Sequence, residues 1–425
     1  MMPLRQIEQV VSRSESTTPP VESNRATRDV STGDATGSLG LVLSGGGARA
    51  VYQVGVLRGL ARWLPDLRFD VVTGVSAGAI NATYLAARPG PLGRDVEGLK
   101  ELWRSLSLED VMRVDAASLW RNVLRWGARL VSGGGRLAPP VHGMVDTSPL
   151  RRLLERVIPE DDRGGIAGIE HNVVHGRPRA VAVSTHDYAT GQTVTWVAGA
   201  GATSWSRPLR RSAAARLTID HVLASVALPI LFPAVQLEGH WHGDGGIRQS
   251  APLSPALHLG ARRILAIATR HANSLVEPEP PQAAGYPPPA QILGEVLDAA
   301  FLDAVDEDAF HLERSNEFLR GLPPEKRRGY QPIDLVVVRP SQDLGRIAAQ
   351  YEPRLPRAFR FLTRGLGTRG ASNADFLSLL MFVPDYAAHL IALGEADAEA
   401  RLEDVVRMAG GLHDKDQKSH VDAIH

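Results

Sequence analysis

Phe69-Asp70-Val71-Val72-Thr73-Gly74-Val75-Ser76-Ala77-Gly78 is the stretch on which the fold turns. The apolar, β-branched run Phe69 to Thr73 predicts a strand that stops at Gly74, and Ala77 to Ala87 carries a helical pattern directly after it. Between them stands Gly74-x-Ser76-x-Gly78, the spacing of a nucleophile elbow, in the strand-turn-helix setting that such an elbow needs. The turn is cramped, so its flanking positions take glycine. It also lifts the Ser76 hydroxyl clear of the sheet and aims the backbone N–H of Ala77, at a helix N-terminus, towards the reacting centre.

A second unit of the same kind lies upstream. Leu39 to Leu43 predicts a short buried strand, Gly45-Gly46-Gly47 a turn, and from Ala48 the spacing Val51, Val54, Leu57, Leu60, Ala61, Leu64 a helix. Two successive strand-to-helix units predict a three-layer α/β/α fold with a mostly parallel central sheet. Further strands are expected at Ala180 to Thr185 and Thr193 to Val197, joined as a hairpin through Ala189-Thr190-Gly191, and at Ala234 to Leu237, Arg263 to Ala268 and Ile333 to Val338. Thr218 to Ala227 reads as a helix stopped before Pro229, and Gln291 to Leu319 and Asn373 to Leu393 as long amphipathic helices.

The glycine turn has three readings. In an acyl-transfer enzyme, N–H groups of Gly45, Gly46 and Gly47 would hold the oxyanion of a tetrahedral intermediate, each such donor being worth roughly 3 to 4 kcal/mol of barrier. Gly45-x-Gly47-x-x-Ala50 also satisfies a loose dinucleotide fingerprint, with Asp66 or Asp70 near the spacing of a ribose-binding acid. The third reading is a tight turn with no ligand. A nucleotide-triphosphate loop is excluded, since no G-x-x-x-x-G-K-[ST] occurs.

A serine nucleophile needs a base. Asp244, in the Gly243-Asp244-Gly245-Gly246 turn expected after the strand ending at Leu237, could take the proton directly if burial raised its pKa. A histidine could serve instead, and His221, His240 and His242 lie nearest in sequence.

Composition narrows the classes. The 425 residues carry 47 basic and 47 acidic side chains and no cysteine. Zero net charge argues against a general nucleic-acid binder, and the missing cysteines exclude disulfides, thiolate metal sites and cysteine nucleophiles. That composition suits a cytoplasmic protein. No apolar run reaches the length of a membrane span, and Met1 to Pro20 has no secretory h-region. Residues 1 to 38 are polar enough to predict a disordered tail, 39 to 270 hold the motifs, and 271 to 400 form a Pro-rich and helical region with a strand returning to the sheet. Residues 401 to 425 read as a polar tail. Leu119 to Val131 draws as an amphipathic helix, with Leu119, Trp120, Val123, Leu124, Trp126, Leu130 and Val131 opposite Arg121, Asn122, Arg125 and Arg129. It is either an ordinary surface helix or a peripheral membrane contact, with Arg113 and Arg136 adding charge at its ends and Gly133 to Gly135 a hinge.

Taken in order, Leu43-Ser44-Gly45-Gly46-Gly47-Ala48-Arg49, Gly74-Val75-Ser76-Ala77-Gly78 and Asp244-Gly245-Gly246 resemble the three signature blocks of the bacterial patatin-like phospholipases. Ala50 departs from the glycine that many members carry there. The resemblance implies a Ser-Asp dyad, Ser76 and Asp244, acting through an acyl-enzyme. It further implies an oxyanion hole from the Gly45 to Gly47 loop and Ala77, with Arg49, Gly74, Gly78, Gly245 and Gly246 in support. The implied substrate is a lipid ester reached at a membrane surface, with no cofactor and no metal in the dyad. Two rival functions stand beside it: a dinucleotide-binding oxidoreductase built on the glycine turn, and a lipid-binding or signalling module with a latent site.

Overall fold

The side chains of β1 (Ser38–Leu43) alternate between two apolar layers: Leu39, Leu41 and Leu43 enter one buried cluster and Val42 the other. That period of two is the signature of a strand buried on both faces. After β1 comes a 3-10 turn, Gly47–Ala50, and then helix α1 (Val51–Trp63). Strand β2 (Val71–Val75) leads through Ser76 into α2 (Ala77–Ala86), and α3 (Leu92–Ser105) and α4 (Ser148–Val157) follow. The computed structural model describes residues 38–88, 90–113, 143–199, 204–248, 252–271, 292, 304–357, 359–361 and 375–410. The predicted N-terminal tail up to residue 37, the Leu119 to Val131 helix, the Pro-rich stretch 277–289 and the predicted C-terminal tail from residue 411 on lie outside them; the start of that 401 to 425 tail is instead a helix, Leu402–Met408, because Val405 and Met408 give it an apolar face to bury.

The remaining strands are β3 (Ala180–Asp187), β4 (Gln192–Gly199), β5 (Ser206–Arg207), β6 (Arg210–Ala214), β7 (Val235–Leu237), β8 (His240–Asp244), β9 (Ala261–Ile267) and β10 (Asp334–Val338). Among the described residues they form one mixed sheet in the order β10-β9-β1-β2-β3-β4-β6-β5, with β8 pairing β3 and β7. The half from β10 to β3 is parallel. Beyond β3 the β3–β4 hairpin is antiparallel, as its turn predicts, and so are β3–β8, β7–β8 and β5–β6. Helices cover both faces, so the architecture is three-layered. Among the described residues no helix is long and apolar enough to cross a membrane.

Four local expectations are corrected. The second strand begins at Val71 instead of Phe69, because the Asp70 carboxylate accepts the Leu39 N–H (2.7 Å) and so marks the strand's start; it runs on to Val75, against Ser76. The first helix begins at Val51, after a 3-10 turn from Gly47. Asp244 does not follow Leu237 through a loop but ends a strand of its own, β8. A two-residue turn at Glu238 and Gly239, both with positive φ (49° and 86°), folds β8 back on β7. His240-Trp241-His242-Gly243-Asp244 lacks apolar alternation, which hid that strand. The pattern at Asn373 to Leu393 splits into two helices, Asp375–Leu379 and Pro384–Ala400, because Pro384 has no N–H to continue a helix and opens a new one.

The Pro384–Ala400 helix packs along α1. Tyr52, Gly55 and Gly59 form the stripe of α1 that meets it, and glycine lets the two backbones approach closely. A Cβ on Gly55 would lie 2.2 Å from the Ile391 carbonyl oxygen, and one on Gly394 2.4 Å from that of Tyr52. With the sheet on one side and this helix on the other, α1 is buried almost all round, as its apolar composition requires.

Candidate active site

The elbow closes because two glycines allow it. A Cβ on Gly74 would sit 2.4 Å from the Gly78 carbonyl oxygen, and one on Gly78 would sit 2.4 Å from those of Leu43 and Ser44. Ser76 takes φ 53° and ψ −134°, a region that costs an L-residue about 1 to 3 kcal/mol. Its surroundings hold it there. The Ser76 N–H donates to Ser225 Oγ (2.9 Å), and Ser225 Oγ donates to the Ser184 carbonyl of β3 (2.7 Å). Ser225, near the end of the helix Ile219–Ser225, was not singled out in the sequence; nothing in its local pattern marks it.

Asp244 meets Ser76 from the end of β8. The Ser76 hydroxyl donates to Asp244 Oδ2 at 2.7 Å, and the Gly246 N–H donates to Oδ1 at 2.8 Å. Gly245 must be glycine, since a Cβ there would lie 2.2 Å from the Ser184 carbonyl oxygen. Asp244 has no solvent exposure. Burial pushes its carboxyl up to about 7, against the hydrogen bonds from Ser76 and Gly246 that favour the charged form.

The histidines stand elsewhere. His221 caps its own helix through Thr218, His242 Nδ1 pairs with Thr185 Oγ1 (3.0 Å), and His240 Nδ1 with Asp187 Oδ2 (3.0 Å). Burial pushes His221 and His242 down to about 4, where an imidazole is a weak base at neutral pH.

In the glycine loop, three carbonyls are tied away from Ser76. Gln53 Nε2 donates to the Ser44 oxygen (2.8 Å), Thr269 Oγ1 to that of Gly45 (2.6 Å) and the Arg49 N–H to that of Gly46 (3.0 Å). In a trans peptide the N–H points opposite to the C=O, so these anchors orient the N–H groups of Gly45, Gly46 and Gly47. Gly45 lies against Ser76, a Cβ there being 3.1 Å from the Ser76 Cβ. Gln53 and Thr269 are further residues that the sequence did not reveal. Gln53 is held in turn by Asn81, and Asn81 by Trp103 Nε1 (2.8 Å).

The dinucleotide reading fails on distance. Asp70 lies beside Leu39 at the start of β1, and the glycine turn begins beyond the strand's end at Leu43, which is already about 13 Å away at about 3.3 Å per residue. Asp66 lies in the α1–β2 connection, at Asp70's end of the sheet. An acid placed there cannot meet a ribose whose phosphates sit on the glycine loop.

An apolar cleft opens beside the serine. Gly47, Ser76 and Ala77 form its polar end, and Leu102, Leu150, Leu154, Phe232, Leu379 and Phe382 are among its walls. The family model described as Patatin-like phospholipase matches residues 41–257, which include all three motifs. The chain belongs to the patatin-like phospholipase family. No curated protein matches it. Among solved structures it is similar to human GIVD cytosolic phospholipase A2 in complex with methyl gamma-linolenyl fluorophosphonate and terbium chloride, at 15% identity and a TM-score of 0.43, covering 88% of this chain and 59% of that one. It is also similar to the type III effector protein ExoU (17%, 0.34, 87% and 53%) and to VipD from Legionella pneumophila (14%, 0.32, 91% and 79%). The chain thus spans less than two thirds of the length of the first two.

Proposed function

We propose that the protein is a lipid acyl hydrolase that cleaves fatty-acyl esters with Ser76 as nucleophile and Asp244 as general base. The observation that carries this reading is the 2.7 Å hydrogen bond from Ser76 Oγ to a fully buried carboxylate with its pKa raised to about 7, at the polar end of an apolar cleft. A base whose pKa lies near the working pH is both available and strong enough.

The acyl chain lies in the cleft and its carbonyl carbon meets Ser76 Oγ. As the Oγ–C bond forms, the hydroxyl proton passes to Asp244, and the carbonyl oxygen becomes an oxyanion held by N–H groups of the Gly45 to Gly47 loop and of Ala77. Collapse of the intermediate breaks the ester C–O bond, and the leaving alcohol takes the proton from Asp244. Water, deprotonated by Asp244, attacks the acyl-enzyme, and the fatty acid leaves as Ser76 recovers its proton. This chemistry calls for no cofactor, and the lipid substrate implies contact with a membrane surface.

A fluorophosphonate probe tests the reading: it is expected to label the protein once and to leave Ser76→Ala unlabelled. An unlabelled parent would overturn it and favour a latent lipid-binding site, and a labelled Ser76→Ala would overturn it by placing the reactive nucleophile at another residue.

A further inference from the structure

Arg49 stands two residues after Gly47 and is almost wholly buried, at 3% exposure. Its partners come from the far end of the chain. Nε donates to Ser378 Oγ (2.5 Å), and one terminal nitrogen donates to Asp375 Oδ1 (2.5 Å) and to the Asp375 carbonyl (3.3 Å). Ser378 Oγ also donates to that same carbonyl (2.6 Å), so the acceptors are themselves fixed. The next residue, Leu379, lies with its backbone against Gly47, where a Cβ would come within 2.2 Å of the Leu379 carbonyl oxygen. Both partners lie more than a hundred residues beyond the end of the family match at residue 257.

From these contacts we infer that Asp375 and Ser378 are positioning residues for the reaction, acting through Arg49 on the oxyanion loop. The inference rests on the proposed acyl-transfer chemistry. The Arg49 N–H closes the turn on the Gly46 carbonyl (3.0 Å), and that peptide plane sets the direction of the Gly47 N–H. Arg49 therefore joins the loop backbone to a rigid anchor: its backbone holds the turn while its planar fork is held at two points. A buried pair of this kind adds little net stability, because desolvation offsets the attraction. Its worth here is geometric. Misplacing one oxyanion donor removes stabilisation made only in the transition state, so the loss falls on kcat with KM nearly unchanged.

The test uses the full chain and a short p-nitrophenyl ester, with kcat expressed per site titrated by a fluorophosphonate. Asp375→Asn removes the negative charge that Asp375 holds against Arg49 and is expected to lower kcat at least tenfold with KM within twofold. Ser378→Ala, which removes one hydroxyl and leaves the ion pair, is expected to lower kcat threefold or more in the same pattern. Should Asp375→Asn fail to fold, Ser378→Ala decides alone. Tyr52→Phe is the control for a purely structural effect: it removes the hydrogen bond from Tyr52 to Asp397 (2.9 Å), which joins the same C-terminal region to α1. It is expected to lower the melting temperature and to keep kcat. A folded Asp375→Asn or Ser378→Ala with kcat per titrated site within twofold of the parent would overturn the inference. A parent that takes up no fluorophosphonate would overturn the acyl-transfer reading instead.

Discussion

Replacing Asp244 by asparagine should destroy activity and stabilise the protein, with a gain that depends on pH. The amide fits the site: its oxygen can accept the Gly246 N–H, and its NH2 can donate to Ser76 Oγ. What it lacks is the proton affinity that the mechanism uses and the charge that burial penalises. The carboxyl is pushed from 3.8 to about 7 by burial. A shift of about 3 pH units at about 1.4 kcal/mol each makes the ionised form roughly 4 kcal/mol less favourable in the folded protein than in the unfolded chain. The sign follows from linkage. Between pH 4 and 7 the folded protein keeps a proton that the unfolded chain has released, so rising pH destabilises the fold through this group. Below pH 4 the carboxyl is protonated in both states and contributes nothing. Above pH 7 the full cost is present. Urea unfolding of parent and Asp244→Asn at pH 4, 5.5, 7 and 8.5 measures the difference. The variant's advantage should be near zero at pH 4 and should grow to a few kcal/mol by pH 7, then stay level, while ester hydrolysis falls at least a thousandfold. A difference that is flat with pH, or a variant less stable than the parent at pH 8.5, would refute the buried, raised carboxyl.

The same carboxyl sets the rate profile: kcat/KM should rise with pH through an apparent pKa near 7, because only the ionised base accepts the Ser76 proton, and a half-point below pH 5 would contradict this. Gly46→Val should lose activity by two orders of magnitude or more, since Gly46 has φ 146° and a Cβ there would lie 2.5 Å from Thr269 Oγ1; steady-state kinetics on a short ester decides it. Ser225→Ala strips the Ser76 N–H of its acceptor in a strained turn and should cost about 1 to 3 kcal/mol of stability, read by denaturant unfolding. Gly394→Ala should destabilise by about 1 to 3 kcal/mol, because the added Cβ meets the Tyr52 carbonyl oxygen at 2.4 Å; an unchanged melting temperature would show that the two helices can separate at no cost.

Sequence alone determined the elements whose signals are local. Strand, glycine turn and helix at Leu39 to Leu64 and again at Phe69 to Ala87 follow from hydrophobic period and glycine placement, and they already imply a parallel sheet with the elbow at a strand's end. The order of Gly45-Gly46-Gly47, Ser76 and Asp244 along the chain was likewise legible, and with it the family. Tertiary structure decided everything that depends on what lies opposite. The Ser76 to Asp244 contact spans 168 residues and exists because β2 and β8 both pair with β3. The anchors of the glycine loop and of Arg49, namely Gln53, Thr269, Asp375 and Ser378, are ordinary polar residues in sequence; only the fold brings them against loop carbonyls or the Arg49 guanidinium. Gly55 and Gly394 carry no local turn signal, since their role is the close approach of two helices more than three hundred residues apart. The carboxyl pKa of Asp244 is fixed by desolvation, a property of the surrounding packing that neighbours in sequence do not encode.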